Sequence, residues 1–193
     1  MSLRLKIKIG VMGSAEAAAT PAIAEGARAL GEAIARADAI LFTGATTGVI
    51  QLVGKSAQEA GAFHIGISPG ENEREHVETF KLPTDACDAI VYTGFGLKGR
   101  NVVLVRSCDL VIFIAGSIGS LNEFTIAHDE GKIIGCLIGT GGAADEIKGI
   151  AETFRKPTES RIFYDSDPEH LIDTCLAAMA ERSPREMKIN KRG

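Results

Sequence analysis

The chain has 193 residues, 45% of them hydrophobic and 24% charged, with a net charge of −4 at pH 7. That length holds one α/β domain with a substantial core and is short for two, and the composition excludes a disordered chain. The acidic balance argues against a nucleic-acid partner, which asks for a basic surface, while leaving room for a local basic pocket.

The N-terminal Met1–Lys8 alternates like an edge strand and lacks the continuous apolar run of a secretory signal. No stretch is long and apolar enough to span a membrane. Cys87, Cys108, Cys136 and Cys175 are far apart and form no CxxC; they read as buried free thiols, which fits a reducing compartment. The expectation is a cytoplasmic protein with no membrane partner.

Residues 7–12 read as the first strand, with a turn at Gly13 and Ser14. Thr20 and Pro21 form an N-cap and first-turn pair. The helix they open carries Ile23, Ala27, Leu30 and Ile34 as one stripe facing a sheet. Residues 39–42 are the second strand. It ends in Thr43-Gly-Ala-Thr-Thr-Gly48, a glycine-bearing turn that opens a helix stopped at Gly61. Residues 63–67 are the third strand, ended by Ser68-Pro69-Gly70. The polar segment 71–86 then breaks the rhythm as a long loop. Residues 89–92 are the fourth strand, 93–99 another glycine turn, and Arg100 and Asn101 open the next helix.

Residues 109–115 form an apolar run without alternation, the mark of a strand buried on both faces. A loop of small residues follows, Gly116, Ser117, Ile118, Gly119 and Ser120, and then an amphipathic helix with Glu123 near its start. Further strands are read at 132–138 and 161–164, and further helices at 144–151 and 168–181. The tail, 182–193, holds five basic residues and is expected to fray. Residues 1–181 are thus expected to form a single Rossmann-like domain: a doubly wound, mainly parallel sheet with helices on both faces. Ligands in such sheets bind beyond the strands' carboxyl ends. The turns at 13–14, 43–48, 93–99 and 116–120 should converge there. None of them is a GxGxxG or a P-loop.

The strand–turn–helix at 109–124 aims backbone N–H groups at an anion, ordinarily a phosphate. Gly116, Ser117, Ile118, Gly119 and Ser120 are the candidate phosphate cradle, with Gly44, Thr47, Gly48 and Ser14 along the same rim. The alternative is that these small residues only let helices pack closely. Glu123 is either a catalytic carboxylate near a sugar carbon or, with Ser120, a capping box. Arg100 is either a phosphate fork or a solvated side chain. His64, His76, His128 and His170 show no metal-ligand spacing, so no metal is expected. His76, in the polar loop, reads as a solvated side chain or a lid residue. No GxSxG supports serine hydrolysis.

The turn Thr43–Gly48, the run Ile67-Ser-Pro-Gly70, Arg100 at a helix start and Gly116-Ser-Ile-Gly-Ser-Leu-Asn-Glu123 occur in the same order as in the LONELY GUY-type proteins, long mislabelled lysine decarboxylases. Over roughly residues 7–140 the chain resembles that family, whose signature is PGGxGTxxE. Here Ala115 stands for the proline, Ser117 for a glycine and Ser120 for the threonine; Asn101 follows Arg100 where many members have lysine. The resemblance implies a Rossmann-like protein that forms a homodimer or higher homo-oligomer and needs no cofactor. It also implies hydrolysis of the N-glycosidic bond of nucleoside 5′-monophosphates, with Glu123 and Arg100 as catalytic residues. The chain is similar as well to the molybdenum cofactor carrier proteins, which implies the alternative of a non-catalytic carrier or sensor of a phosphate-bearing ligand.

Overall fold

The computed structural model describes residues 5–15 and 20–181. Seven strands alternate with six helices: β1 (Lys8–Gly13), α1 (Pro21–Arg36), β2 (Ile40–Thr43), α2 (Val49–Glu59), β3 (Phe63–Ser68), β4 (Ala89–Tyr92), α3 (Gly96–Ser107), β5 (Leu110–Ile114), α4 (Ile118–Asp129), β6 (Ile133–Leu137), α5 (Gly142–Thr153), β7 (Arg161–Asp165) and α6 (Pro168–Glu181). The strands form one sheet in the order β4-β3-β2-β1-β5-β6-β7, and every pairing is parallel. The chain steps outward from β1 to β4 and then returns to place β5 on the other side of β1. The carboxyl ends of β1 and β5 therefore bound the switch point, where a doubly wound sheet opens a crevice.

The unbroken apolar run of β5 follows from burial on both faces. Ile112 and Ile114 point into a core shared with Leu30 and Ile34 of α1, Val53 of α2 and Leu171 of α6. Val111 and Phe113, the alternate residues, point into a second core with Leu104 of α3, Phe124 of α4 and Ile147 of α5. The period-two alternation of a strand thus divides one apolar sequence between two helical layers. β4 and β7, at the sheet edges, have no fully buried residue.

Several local expectations hold. Thr20 caps α1, its Oγ1 accepting from Ile23 N at 3.3 Å. Gly61, at φ 93°, follows α2 in the left-handed conformation that glycine adopts freely. Cys108, Cys136 and Cys175 are buried thiols, and Cys87 is half-buried.

Others are corrected. The edge-strand reading of Met1–Lys8 falls partly outside the described residues; 5–7 carry no strand, and Lys8 opens the central β1. The loop 71–86 contains a π-helical turn, Glu75–Thr79. His76 within it is wholly buried, not solvated. Both α3 and α4 begin earlier than their sequences suggest, so Arg100 is the fifth residue of its helix and Glu123 the sixth. The basic tail 182–193 lies outside the described residues.

Burial lowers His64 from its ordinary 6.5 to about 4, against smaller raising effects from Ala86 and Asp88. The unfolded chain takes up that proton near 6.5 and the folded chain near 4. Stability is therefore undiminished above 6.5 and falls by up to about 3 kcal/mol as the pH drops to 4. Denaturant unfolding at intervals across this window should show a slope close to one proton steeper in the native chain than in His64→Gln. Parallel curves would contradict the assignment.

Candidate functional site

Hydrogen bonds tie the strand-end turns together in two sets, the β1, β2 and β5 turns in one and the β3 and β4 turns in the other. Ser120 Oγ donates to Gly13 O at 3.3 Å, joining the first turn of α4 to the end of β1. Thr47 Oγ1 donates to Ala15 O at 2.7 Å, and Val49 N donates to Ser14 O at 3.2 Å, joining the β2 turn to the same place. A Cβ at Gly48 would lie 2.8 Å from the carbonyls of Ser14 and Ala15, so glycine is required for that approach. On the far side, Gly96 N donates to Pro69 O at 3.0 Å and Gly94 N to Gly70 O at 2.9 Å, joining the β3 and β4 turns.

The β5 turn is fixed by its backbone. Ala115 and Gly116 have φ of 50° and 99°, after which Ser117 serves as the N-cap residue of α4. Proline, whose ring holds φ near −65°, has no place at position 115 in this turn. The amide groups of Ile118, Gly119 and Ser120 are first-turn donors with no partner inside the helix. Three of the five residues read as loop, Ile118, Gly119 and Ser120, are therefore helical; unpartnered amides at a helix start are donors of the kind that can receive an anion. Ser117 makes no side-chain cap bond. Ser120 lies inside the helix, so the capping box Ser120–Glu123 does not form.

Glu123 is only 7% exposed and Arg100 only 6%. Arg100 is therefore not a solvated side chain. Its Nη1 donates to Ile67 O at 3.2 Å, while its Nε, buried, has no hydrogen-bond partner. A Cβ at Gly44 would stand 1.7 Å from Arg100 Nη1, so the guanidinium fills the space that the glycine leaves. Burial lowers Arg100 from its ordinary range, and the charge of Glu123 opposes this. Burial likewise pushes the Glu123 carboxyl up to about 7, against the pull of Arg100 and Lys98.

Asn101, also buried, was legible only as a missing lysine. With its amide nitrogen assigned toward the acceptors around it, it donates to Glu123 Oε1 at 3.1 Å and to Leu97 O at 3.0 Å. Its side chain meets that of Asn122 at 2.9 Å. A neutral donor thus holds the carboxyl group without adding charge. Among the described residues, no group of three or more His, Cys, Asp or Glu side chains is placed to hold a metal ion. None of the described helices is long and apolar enough to cross a membrane.

A groove lies elsewhere on the surface. A cavity of about 640 Å³ on the outer face of α3, α4 and α5 is lined by Val102, Leu121, Phe124, Ile150 and Phe154, among others. Neither Glu123 nor Arg100 lines it. Volume here does not follow chemistry, and the buried ionisable pair marks the more informative place.

The parallel, doubly wound sheet and its flanking helices define a Rossmann-like protein. Residues 6–172 match the family model of the SLOG cluster4 family, and the chain belongs to that family. An uncharacterised protein of Archaeoglobus fulgidus is 32% identical over 108 residues, a match spanning 56% of this chain and 66% of the relative. Among solved structures, TM1055 is similar at 25% identity with a TM-score of 0.76, covering 89% of this chain and 99% of that one. The molybdenum cofactor binding protein of the phototrophic bacterium Rippkaea orientalis is similar at 29% identity and a TM-score of 0.73, covering 92% and 99%. A Moco carrier protein of Chlamydomonas reinhardtii is similar at 25% identity and a TM-score of 0.71, covering 91% and 98%. The family resemblance read from the motifs therefore holds.

Removing the Arg100 charge should disfavour the Glu123 carboxylate. In Arg100→Met, the Glu123 side-chain carbon followed by ¹³C NMR should titrate above its native value of about 7. An unchanged midpoint would show that the two groups do not interact.

Proposed function

We propose that this crevice binds a nucleoside 5′-monophosphate and hydrolyses its N-glycosidic bond, releasing base and ribose 5-phosphate. The observation that carries the reading is a buried carboxyl group, Glu123, and a buried guanidinium with an unpartnered Nε, Arg100, each in the second turn of its helix and each acting on the other's charge. The first-turn amides of α4, with Ser117 and Ser120, hold the phosphate; Gly44, Thr47, Gly48 and Ser14 form the opposite rim. Phe95, Leu97 and Ile118, exposed on the opening turns of α3 and α4, offer apolar surface to the base. Arg100 orients the substrate, and Asn101 holds Glu123.

In the reaction, ionised Glu123 accepts a proton from a water whose oxygen bonds to C1′. The C1′–N bond breaks, and its electron pair leaves with the base, which takes up a proton. Positive charge developing on the sugar is stabilised by the carboxylate. No metal or redox cofactor takes part in this scheme, and the expected setting is the cytoplasm. Incubation with AMP should release adenine, at a rate that rises with pH through about 7 as Glu123 ionises. Glu123→Gln should lose the activity while still binding AMP. Equal turnover in that variant would contradict the mechanism.

A second reading is a non-catalytic carrier of a phosphate-bearing ligand such as molybdenum cofactor. The similarity to the proteins of R. orientalis and C. reinhardtii supports it, as does the left-handed Ala115, which sets this turn apart from a proline-bearing one. Retention of intact ligand without base release over long incubation would favour it.

The homodimer implied by the resemblance is proposed to form through the groove on α3, α4 and α5, whose apolar lining is flanked by the Arg106–Glu130 ion pair. Sedimentation should give twice the chain mass, and Leu121→Arg should give the monomer. A monomeric native chain at micromolar concentration would contradict this.

A further inference from the structure

The polar loop between β3 and β4 has no part in the chemistry above, yet two buried histidines connect it to the crevice. Ala86 O accepts from His64 Nδ1. A carbonyl cannot donate, so the ring proton sits on Nδ1. Nε2 of the neutral ring then accepts from Thr43 Oγ1 at 2.8 Å. Thr43 Oγ1 in turn accepts from Ala45 N at 3.1 Å.

The second arrangement repeats the first with the ring reversed. Pro83 O accepts from His76 Nε2 at 3.0 Å. Nδ1 is hydrogen-bonded to Ser68 Oγ at 2.8 Å, and Ser68 Oγ accepts from Gly70 N at 3.0 Å. Each relay runs carbonyl, imidazole, strand-end hydroxyl, and the amide two residues further on. Both begin within residues 83–86, and they end at the carboxyl tips of the neighbouring strands β2 and β3.

Arg100 lies between those tips. Gly44, inside the first relay's turn, is packed against its Nη1. Ile67, next to Ser68 of the second relay, supplies the carbonyl that Nη1 donates to. α2 is fitted to the arrangement: a Cβ at Gly54 would stand 2.7 Å from His64 Cε1.

We infer that His64 and His76 are positioning residues for Arg100, bracing from one loop the two strand-end turns that hold its guanidinium. The consequence for binding rests on the nucleotide reading; the positioning itself does not. Thr43→Val keeps the volume and removes the first relay's hydroxyl, and Ser68→Ala removes the second's. Thr43→Ser keeps the hydroxyl, and Gly44→Ala displaces Arg100 directly.

The test is the ¹⁵Nε resonance of Arg100 in the full chain, assigned by its absence in Arg100→Lys, read alongside AMP affinity and melting temperature. His64→Phe and His76→Phe, like Thr43→Val and Ser68→Ala, should each shift that resonance in the direction of Gly44→Ala, speed its hydrogen exchange and weaken AMP several-fold. A shift in the hydroxyl variants alone would overturn the role of the histidines. Thr43→Ser should restore the native values. Variants that melt earlier but leave the Arg100 resonance in place would overturn the inference. Should the native chain fail to bind AMP, the nucleotide reading falls, while the resonance still decides the positioning role. Should Thr43→Val not fold, Ser68→Ala decides it.

Discussion

The structure turns on the burial of one guanidinium. Arg100 leaves water with a donor still unpaired, beside a carboxyl group that is itself out of water. Each desolvation is unfavourable, and the mutual attraction of the two groups offsets only part of it. An arrangement of this kind lowers stability unless something else compensates, and here that is supplied by the two apolar cores on either side of β5. A buried donor without a partner is rare in a well-packed chain, and the proposed function is what gives this one an acceptor.

The surrounding fold explains how such a residue stays in place. The reversal of strand order between β1 and β5 opens the crevice, and hydrogen bonds between neighbouring turns close its walls. Gly44, Gly48 and Gly116 each do something a larger residue could not: admit the guanidinium, allow a turn to approach two carbonyls, or leave room for Ser120 Oγ, which would stand 2.6 Å from a Cβ. Asn101 spans from α3 to α4 and holds Glu123 with a neutral donor. Burial pushes the Glu123 carboxyl up to about 7, and the charges of Arg100 and Lys98 pull against it.

The sheet, its strand sequence and the layers of helices were legible because burial writes a simple code: apolar runs for central strands, one apolar stripe per helix. The starts of α3 and α4 were not. Gly94, Gly96 and Gly116 make the actual turns with positive φ, whereas Gly99 and Gly119 lie inside helices, and composition alone does not separate the two uses. The error mattered for Glu123, since only the true start of α4 removes the capping-box alternative. The histidine relays were hidden for another reason. They join residues separated by 21 positions in one case and 8 in the other, and neither contact leaves a local pattern. Asn101 was visible only as a departure from a family signature, with no hint that it reaches Glu123.

The central claim is that an oxyanion at the first turn of α4 brings the rest of a ligand within reach of Glu123 and Arg100. A crystal structure of the protein with bound AMP or its products tests this most directly. The account predicts the phosphate on the amides of Ile118, Gly119 and Ser120, with the sugar carbon facing Glu123. A ligand seated instead in the groove of α3, α4 and α5, away from both buried charges, would contradict it.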